Sequence, residues 1–180
     1  MHNTAVAQSE IYHLDKNSVI TIEGTSTVHD WTVTVDDFHS SMTIQTNGSG
    51  SILTNTSIEL LVHNMKSRIP RMDEIMHGTM KKDIYPVISF VLDSTQSRIQ
   101  GDLNNLNITT TGNLTIAGTE RRISVELDGS NKKGMYHLTG SKNMKMTDYS
   151  IEPPSFMGGS IRTGDEITVS FNLLYSPEPK

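Results

Sequence analysis

The chain has 180 residues, of which 34% are hydrophobic and 19% charged, with a formal net charge of −5 and no cysteine. That length suits one domain with a sizeable core, and the acidic balance, with no basic stripe carrying interleaved aromatics, excludes nucleic acid as a partner. The absence of cysteine excludes a disulfide scaffold, a zinc–thiolate centre and a thiol nucleophile.

Residues 1–9 read as a disordered N-terminal segment. Within it Ala5-Val6-Ala7 has the small-x-small form of a signal cleavage site, although an ordinary flexible terminus reads the same. From Ile11 onward apolar residues recur with period two, which marks strands with one buried face. Ile11–Leu14 is a short strand. Val19–Gly24 follows, with Ile20 and Ile22 on one face, and Thr25-Ser26-Thr27 is a corner. His29–Val35 carries Trp31, Val33 and Val35 on a common face. Met42 and Ile44 mark another strand, and the Asn47-Gly48-Ser49-Gly50 cluster is a hairpin signal. Ile58, Leu60 and Val62 mark the next strand.

From Arg68 to Leu92 the period changes. Met72, Ile75, Met76 and Met80 fall at helical spacing on one face, which predicts a short amphipathic helix near Arg71–Lys82. Pro70 suits its first turn. Asp73 and Glu74 complement the positive end of its dipole, and Lys81 and Lys82 the negative end. Pro86 ends the segment, and Ile88, Phe90 and Leu92 resume alternation. Leu114 and Ile116 belong to the next run, followed by a turn over Ala117–Glu120 and the strand of Ile123, Val125 and Leu127. Asp128–Gly134 reads as a polar turn. Tyr136, Leu138 and Gly140 begin a strand towards Met144 and Met146, and the Pro153-Pro154 and Gly158-Gly159 pairs mark an irregular loop. Ile167, Val169, Phe171, Leu173 and Tyr175 alternate as the last strand, leaving residues 177–180 as a loose tail.

Eight or nine short strands with one helix predict a single all-β domain over residues 10–176, with an antiparallel sheet closed on itself. A sandwich satisfies the same alternation. A closed barrel of about eight strands either holds one small ligand or is filled by its own side chains. The low hydrophobic content, with Ser, Thr and Asn on the opposite strand faces, suits a single apolar layer around an interior. Trp31 is core or lines the mouth of a cavity. His29 and Asp30, adjacent on an extended chain, point to opposite sides and read as a structural corner rather than a dyad. Asp73 and His77, at i and i+4, read as an exposed ion pair. No nucleophile elbow, zinc-binding His-Glu-x-x-His or phosphate loop occurs, so no catalytic residue, cofactor or metal is expected.

Four segments, in this order, carry a family resemblance. They are Gly24-Thr25-Ser26-Thr27-Val28-His29-Asp30-Trp31, the helix leading through Lys81-Lys82 to Tyr85-Pro86-Val87-Ile88-Ser89-Phe90, Gly112-Asn113-Leu114-Thr115-Ile116-Ala117-Gly118-Thr119-Glu120-Arg121, and Met146-Thr147-Asp148-Tyr149 with Ile161–Glu166. Together they resemble the YceI-like family of polyisoprenoid-binding, lipocalin-like proteins, from about Tyr12 to Tyr175. The helix departs from the Arg-Asp-x-His-type motif of many members, because Arg71-Met72-Asp73-Glu74-Ile75-Met76-His77 has altered spacing, and no polar role is carried over to Asp73 or His77. The resemblance implies a lipocalin-like barrel with a long apolar lumen, an isoprenoid-tailed ligand such as a quinone, and export to the bacterial periplasm or beyond. A homodimer is compatible with it. The expected role is carriage, storage or sequestration without turnover; the alternatives are an enzyme acting on a lipid or quinone in the same cavity and a ligand-free stress or interaction protein. The expected ligand-binding residues are then Ile20, Ile22, Trp31, Val33, Ile58, Leu60, Val62, Ile88, Phe90, Leu92, Leu114, Ile116, Val125, Leu138, Phe171 and Leu173 on the strands. Met72, Ile75, Met76 and Met80 join them from the helix.

Overall fold

Period-two alternation becomes antiparallel pairing along nearly the whole chain, in a computed structural model that describes residues 8–47, 50–93 and 97–178. Among these residues lie strands β1 (Gln8–Leu14), β2 (Val19–Ser26), β3 (Trp31–Val35), β4 (Phe38–Asn47) and β5 (Gly50–Leu61), then helix α1 (Pro70–Thr79). After the helix come β6 (Val87–Leu92), β7 (Arg98–Asp102), β8 (Asn105–Ile116), β9 (Thr119–Lys132), β10 (Met135–Lys145), β11 (Ser155–Phe156) and β12 (Ile161–Pro177). Eight of them form a ring in the order β1-β4-β5-β6-β8-β9-β10-β12. The ring closes through Tyr12↔Pro177, His13↔Ser176 and Leu14↔Tyr175. Closure leaves no open edge in the ring, and the sandwich alternative falls.

The first two strands share one edge of β12 in series. β1 leaves the ring at Asp15, whose N–H donates to the Leu174 carbonyl at 2.7 Å, and the Leu174 N–H donates to Ser18 Oγ at 2.9 Å. The chain then resumes as β2, which runs along β12 from Val19↔Asn172 to Ser26↔Thr163, with β3 on its outer side. Residues expected to be loose at either end of the described chain are paired. Gln8 and Ser9 pair with Thr46 and Gln45, and the Glu178 N–H donates to the Ile11 carbonyl at 3.0 Å. The Ala5-Val6-Ala7 segment lies outside the described residues.

The Asp128–Gly134 segment is not the polar turn expected of it. β9 continues through it to Lys132, and only Lys133 and Gly134, both with positive φ, turn the chain. A two-residue turn of that kind matches the twist of the strands it joins. Ala117 and Gly118 make the same turn between β8 and β9. β7 escaped the alternation test because only Ile99 among its residues is half-buried. The strand through Ile58 and Leu60 ends at Leu61, and Val62 instead opens a 3-10 turn over Val62–Asn64.

α1 is shorter than predicted. Lys81 takes the left-handed conformation (φ 54°), and Lys81 and Lys82 N–H groups donate back to the Gly78 and His77 carbonyls at 2.9 and 3.0 Å. This pair of bonds closes a helix with a left-handed residue just past its end. Among the described residues no helix is long and apolar enough to cross a membrane.

Candidate ligand-binding lumen

Inward-facing side chains of the ring and of α1 enclose a cavity of about 520 Å³ with an almost wholly apolar lining. That volume falls within the range of small-molecule sites. Every residue of the predicted ligand-binding set lines it except Val62 and Leu92. Val62, only 1% exposed, opens the 3-10 turn, points into the apolar core and donates its N–H to the Pro86 carbonyl at 2.9 Å. Leu92 pairs with Gly112, and the Phe90 ring lies over Gly112, where a Cβ would come within 2.6 Å of Phe90 Cζ. Phe90 therefore takes the inner face there, and Leu92 packs into the surrounding apolar cluster. Gly24 serves Trp31 in the same way, since a Cβ there would collide with the indole. Trp31 Nε1 donates to the Thr25 carbonyl at 3.0 Å, which fixes the ring beside the β2–β3 corner.

The two ends of the lumen differ. Far from α1 the walls meet: Met42, Leu53, Leu138 and Tyr175 line the deep end and are each 1–2% exposed. Behind them the rings of Tyr12 and Tyr136 stack edge to face with centroids 4.9 Å apart. Towards α1, wall residues such as Ile22, Phe90, Val169 and Phe171 are only half-buried although they point inward. The interior is hollow in its middle and packed at one end, not filled throughout.

α1 crosses the open end with Met72, Ile75, Met76 and Met80 on the lumen. Three ties hold it there. Thr34 and Lys66 exchange backbone hydrogen bonds at 2.8 and 3.0 Å, which fastens the approach segment to β3. Asp73 Oδ1 accepts from the Ser67 N–H at 2.7 Å and the Ser67 hydroxyl at 2.6 Å. His77, 8% exposed, donates Nε2–H to the Met65 carbonyl at 3.1 Å. Asp73 and His77 are thus anchors of the helix rather than the exposed ion pair expected from their spacing. Partial burial acts to raise the Asp73 carboxyl, but the two Ser67 hydrogen bonds, with Lys66 and His77 nearby, outweigh it and hold the group below its ordinary value. On the other rim His29 donates Nδ1–H to the Asp30 carbonyl at 2.8 Å, so this pair is a corner and not a dyad. Other lining residues, including Ile123, Leu127, Ile167, Val169 and Tyr175, lie in phase with predicted ones on the same strands. Extending each alternation by one step, or by two for Ile167, finds them.

Tyr175 carries a pH prediction. Ser40 spends its hydroxyl proton on the Ser57 carbonyl at 2.8 Å, so the Tyr175 hydroxyl is the donor in its 2.7 Å bond to Ser40. Burial pushes the Tyr175 phenol up to about 12. The unfolded chain loses this proton first, near its ordinary value of about 10. Stability is therefore full below about pH 10 and falls as pH rises towards 12, by about 3 kcal/mol in all. Melting temperatures should drop above about pH 10, and Tyr175→Phe should lessen that drop, the phenols of Tyr12 and Tyr149, also raised by burial, keeping the remainder. An unchanged slope in the variant would remove Tyr175 as its source.

A closed ring of this order around an apolar lumen, with one helix across its mouth, has counterparts among known proteins. A family model described as YceI-like domain matches residues 7–175. The chain belongs to the YceI-like family. No curated protein matches it. Among solved structures, this YceI-like chain is similar to BcnA of Burkholderia cenocepacia, with a TM-score of 0.70 at 14% identity over 89% of this chain and 98% of that one. It is also similar to a polyisoprenoid-binding domain from Saccharophagus degradans implicated in plant cell wall breakdown, at TM-score 0.69 and 15% identity over 93% and 98% of the two chains. A Campylobacter jejuni YCEI protein gives 0.62 and 15%, over 82% and 85%. At these identities the likeness establishes a shared barrel. In this YceI-like barrel the basic side chains among the described lining residues are His29, Arg71 and Lys145, and no carboxylate is among them.

Proposed function

We propose that the chain binds one long apolar molecule with an isoprenoid or extended acyl tail in its lumen, and carries, stores or sequesters it without turnover. The observation that carries this reading is the hollow, almost wholly apolar interior behind a methionine-faced helix. Each buried CH₂ contributes about 0.8 kcal/mol, so a few prenyl units supply ample affinity. Methionine side chains adapt their shape to irregular partners. Membership of the YceI-like family and the likeness to the Saccharophagus polyisoprenoid-binding domain support a lipid ligand. Export to the periplasm or beyond belongs to the same proposal, and recovery of the native protein from the cytosol with Met1 as its start would contradict it.

Titration with a prenylated quinone tests the binding claim. Trp31 is the only tryptophan and lines the lumen, so a bound quinone should quench its fluorescence to saturation at one equivalent. Quenching that never saturates, or that a quinone without a tail reproduces equally, would sink it.

A further inference from the structure

We propose that the open end of the barrel docks on a phospholipid surface, where the lumen takes up or returns its ligand; this rests on the lipid-binding reading above. The apolar lining does not stop at the mouth. Val28, Ile69 and Phe156 line the opening and are 63%, 51% and 38% exposed, and Met157 beside them is 78% exposed. They come from three segments: the β2–β3 corner, the approach to α1, and the end of β11 with the turn that follows it. The first and third are joined, because Thr27 donates its N–H to the Arg162 carbonyl at 3.0 Å and its hydroxyl to the Ser160 carbonyl at 3.2 Å. Met157 has a positive φ of 51°, a conformation unusual for a side chain of its size, at the tip of this joined pair of loops.

Separate apolar tips around a hydrocarbon-lined opening suit insertion into the boundary layer of a bilayer better than docking on a flat protein face. Charge favours the same partner. The chain is acidic overall, yet Arg71 and Lys145 line the mouth, and Arg68 and Arg162 stand beside Ile69 and Ile161. Of the acids at this end, Glu74 pairs with Arg71 at 2.8 Å, Asp73 is held by Ser67, and Asp165 accepts from Thr147; Asp30, Asp148, Glu152 and Glu166, the last opposite Lys145, remain exposed, so the basic side chains act as separate points and not as one patch. Anionic headgroups would meet the basic side chains while the tips enter the interface.

The test mixes the ligand-free chain with phosphatidylcholine vesicles, with or without phosphatidylglycerol, and measures pelleting. The second readout is transfer of a prenylated quinone out of the vesicles. The chain should pellet several-fold more with the anionic vesicles and less at high salt. A double variant, Met157→Asp with Arg68→Glu, changes two residues outside the lumen lining. It should lose about tenfold in pelleting and in transfer rate, with unchanged melting temperature and unchanged quinone affinity in detergent micelles. A chain that stays in the supernatant, a double variant that pellets and transfers like the parent, or transfer that needs an added protein would each overturn the docking proposal. Failure of both forms to take quinone from micelles would instead overturn the ligand reading, and vesicle pelleting would still decide the docking.

Discussion

Met76→Asp is expected to weaken ligand binding by about 100-fold while the sheet stays folded. Met76 lies on the lumen face of α1, half-buried, between Met72 and Met80. A carboxylate there without a partner costs several kcal/mol if it stays buried against the ligand, or turns the helix outward. About 3 kcal/mol corresponds to two decades in affinity. The helix can yield without unfolding the barrel, because it is tied through Lys66, Ser67 and Met65 rather than through the ring of strands. If α1 were ordinary packing, the variant would melt at a lower temperature in the ligand-free protein and bind quinone as before. That second outcome would remove the helix from the proposed site.

Leu138→Ala should destabilise the ligand-free protein more than Phe171→Ala. Leu138 is 2% exposed at the packed deep end, and loss of such a side chain typically costs about 2–5 kcal/mol, about 3 here. Phe171 pairs with Gly140 on the next strand but faces the hollow middle and is only half-buried. A wall atom facing empty space has already forfeited contacts on that side, so truncation removes less. We expect below about 2 kcal/mol for Phe171→Ala, whereas a phenylalanine in a filled core costs about 3–5 kcal/mol. Chemical denaturation of both variants decides the order. Phe171→Ala proving the more costly would mean that the interior is filled in solution.

The barrel was legible because closure demands it. Each long strand buries one face, so the alternation from Ile167 to Tyr175 announces both its strand and its inward residues. The methionine face of α1 was legible for the same reason, through its helical period. What escaped has physical causes. β7 and β11 are held by backbone pairing with little apolar alternation, which periodicity does not detect. Val62 continued an alternation that the backbone abandons one residue earlier for a 3-10 turn. Leu92 had the right phase, but the large ring of Phe90 fills the space over Gly112. Asp73 and His77 had the spacing of a surface pair, and their partners, Ser67 and Met65, became visible only once the approach segment folded back along the helix. Hollow and filled interiors give the same alternation, so that choice lay beyond the sequence pattern and needed three-dimensional packing.

The most direct test of the hollow lumen and its cargo is the mass of the intact protein, purified without detergent from a bacterial host, before and after organic extraction. The expected result is a single additional mass per chain that extraction removes, recovered in the organic phase as one long apolar molecule. A chain that carries no extra mass, yields no lipid to solvent and takes up no prenylated quinone afterwards would contradict the account.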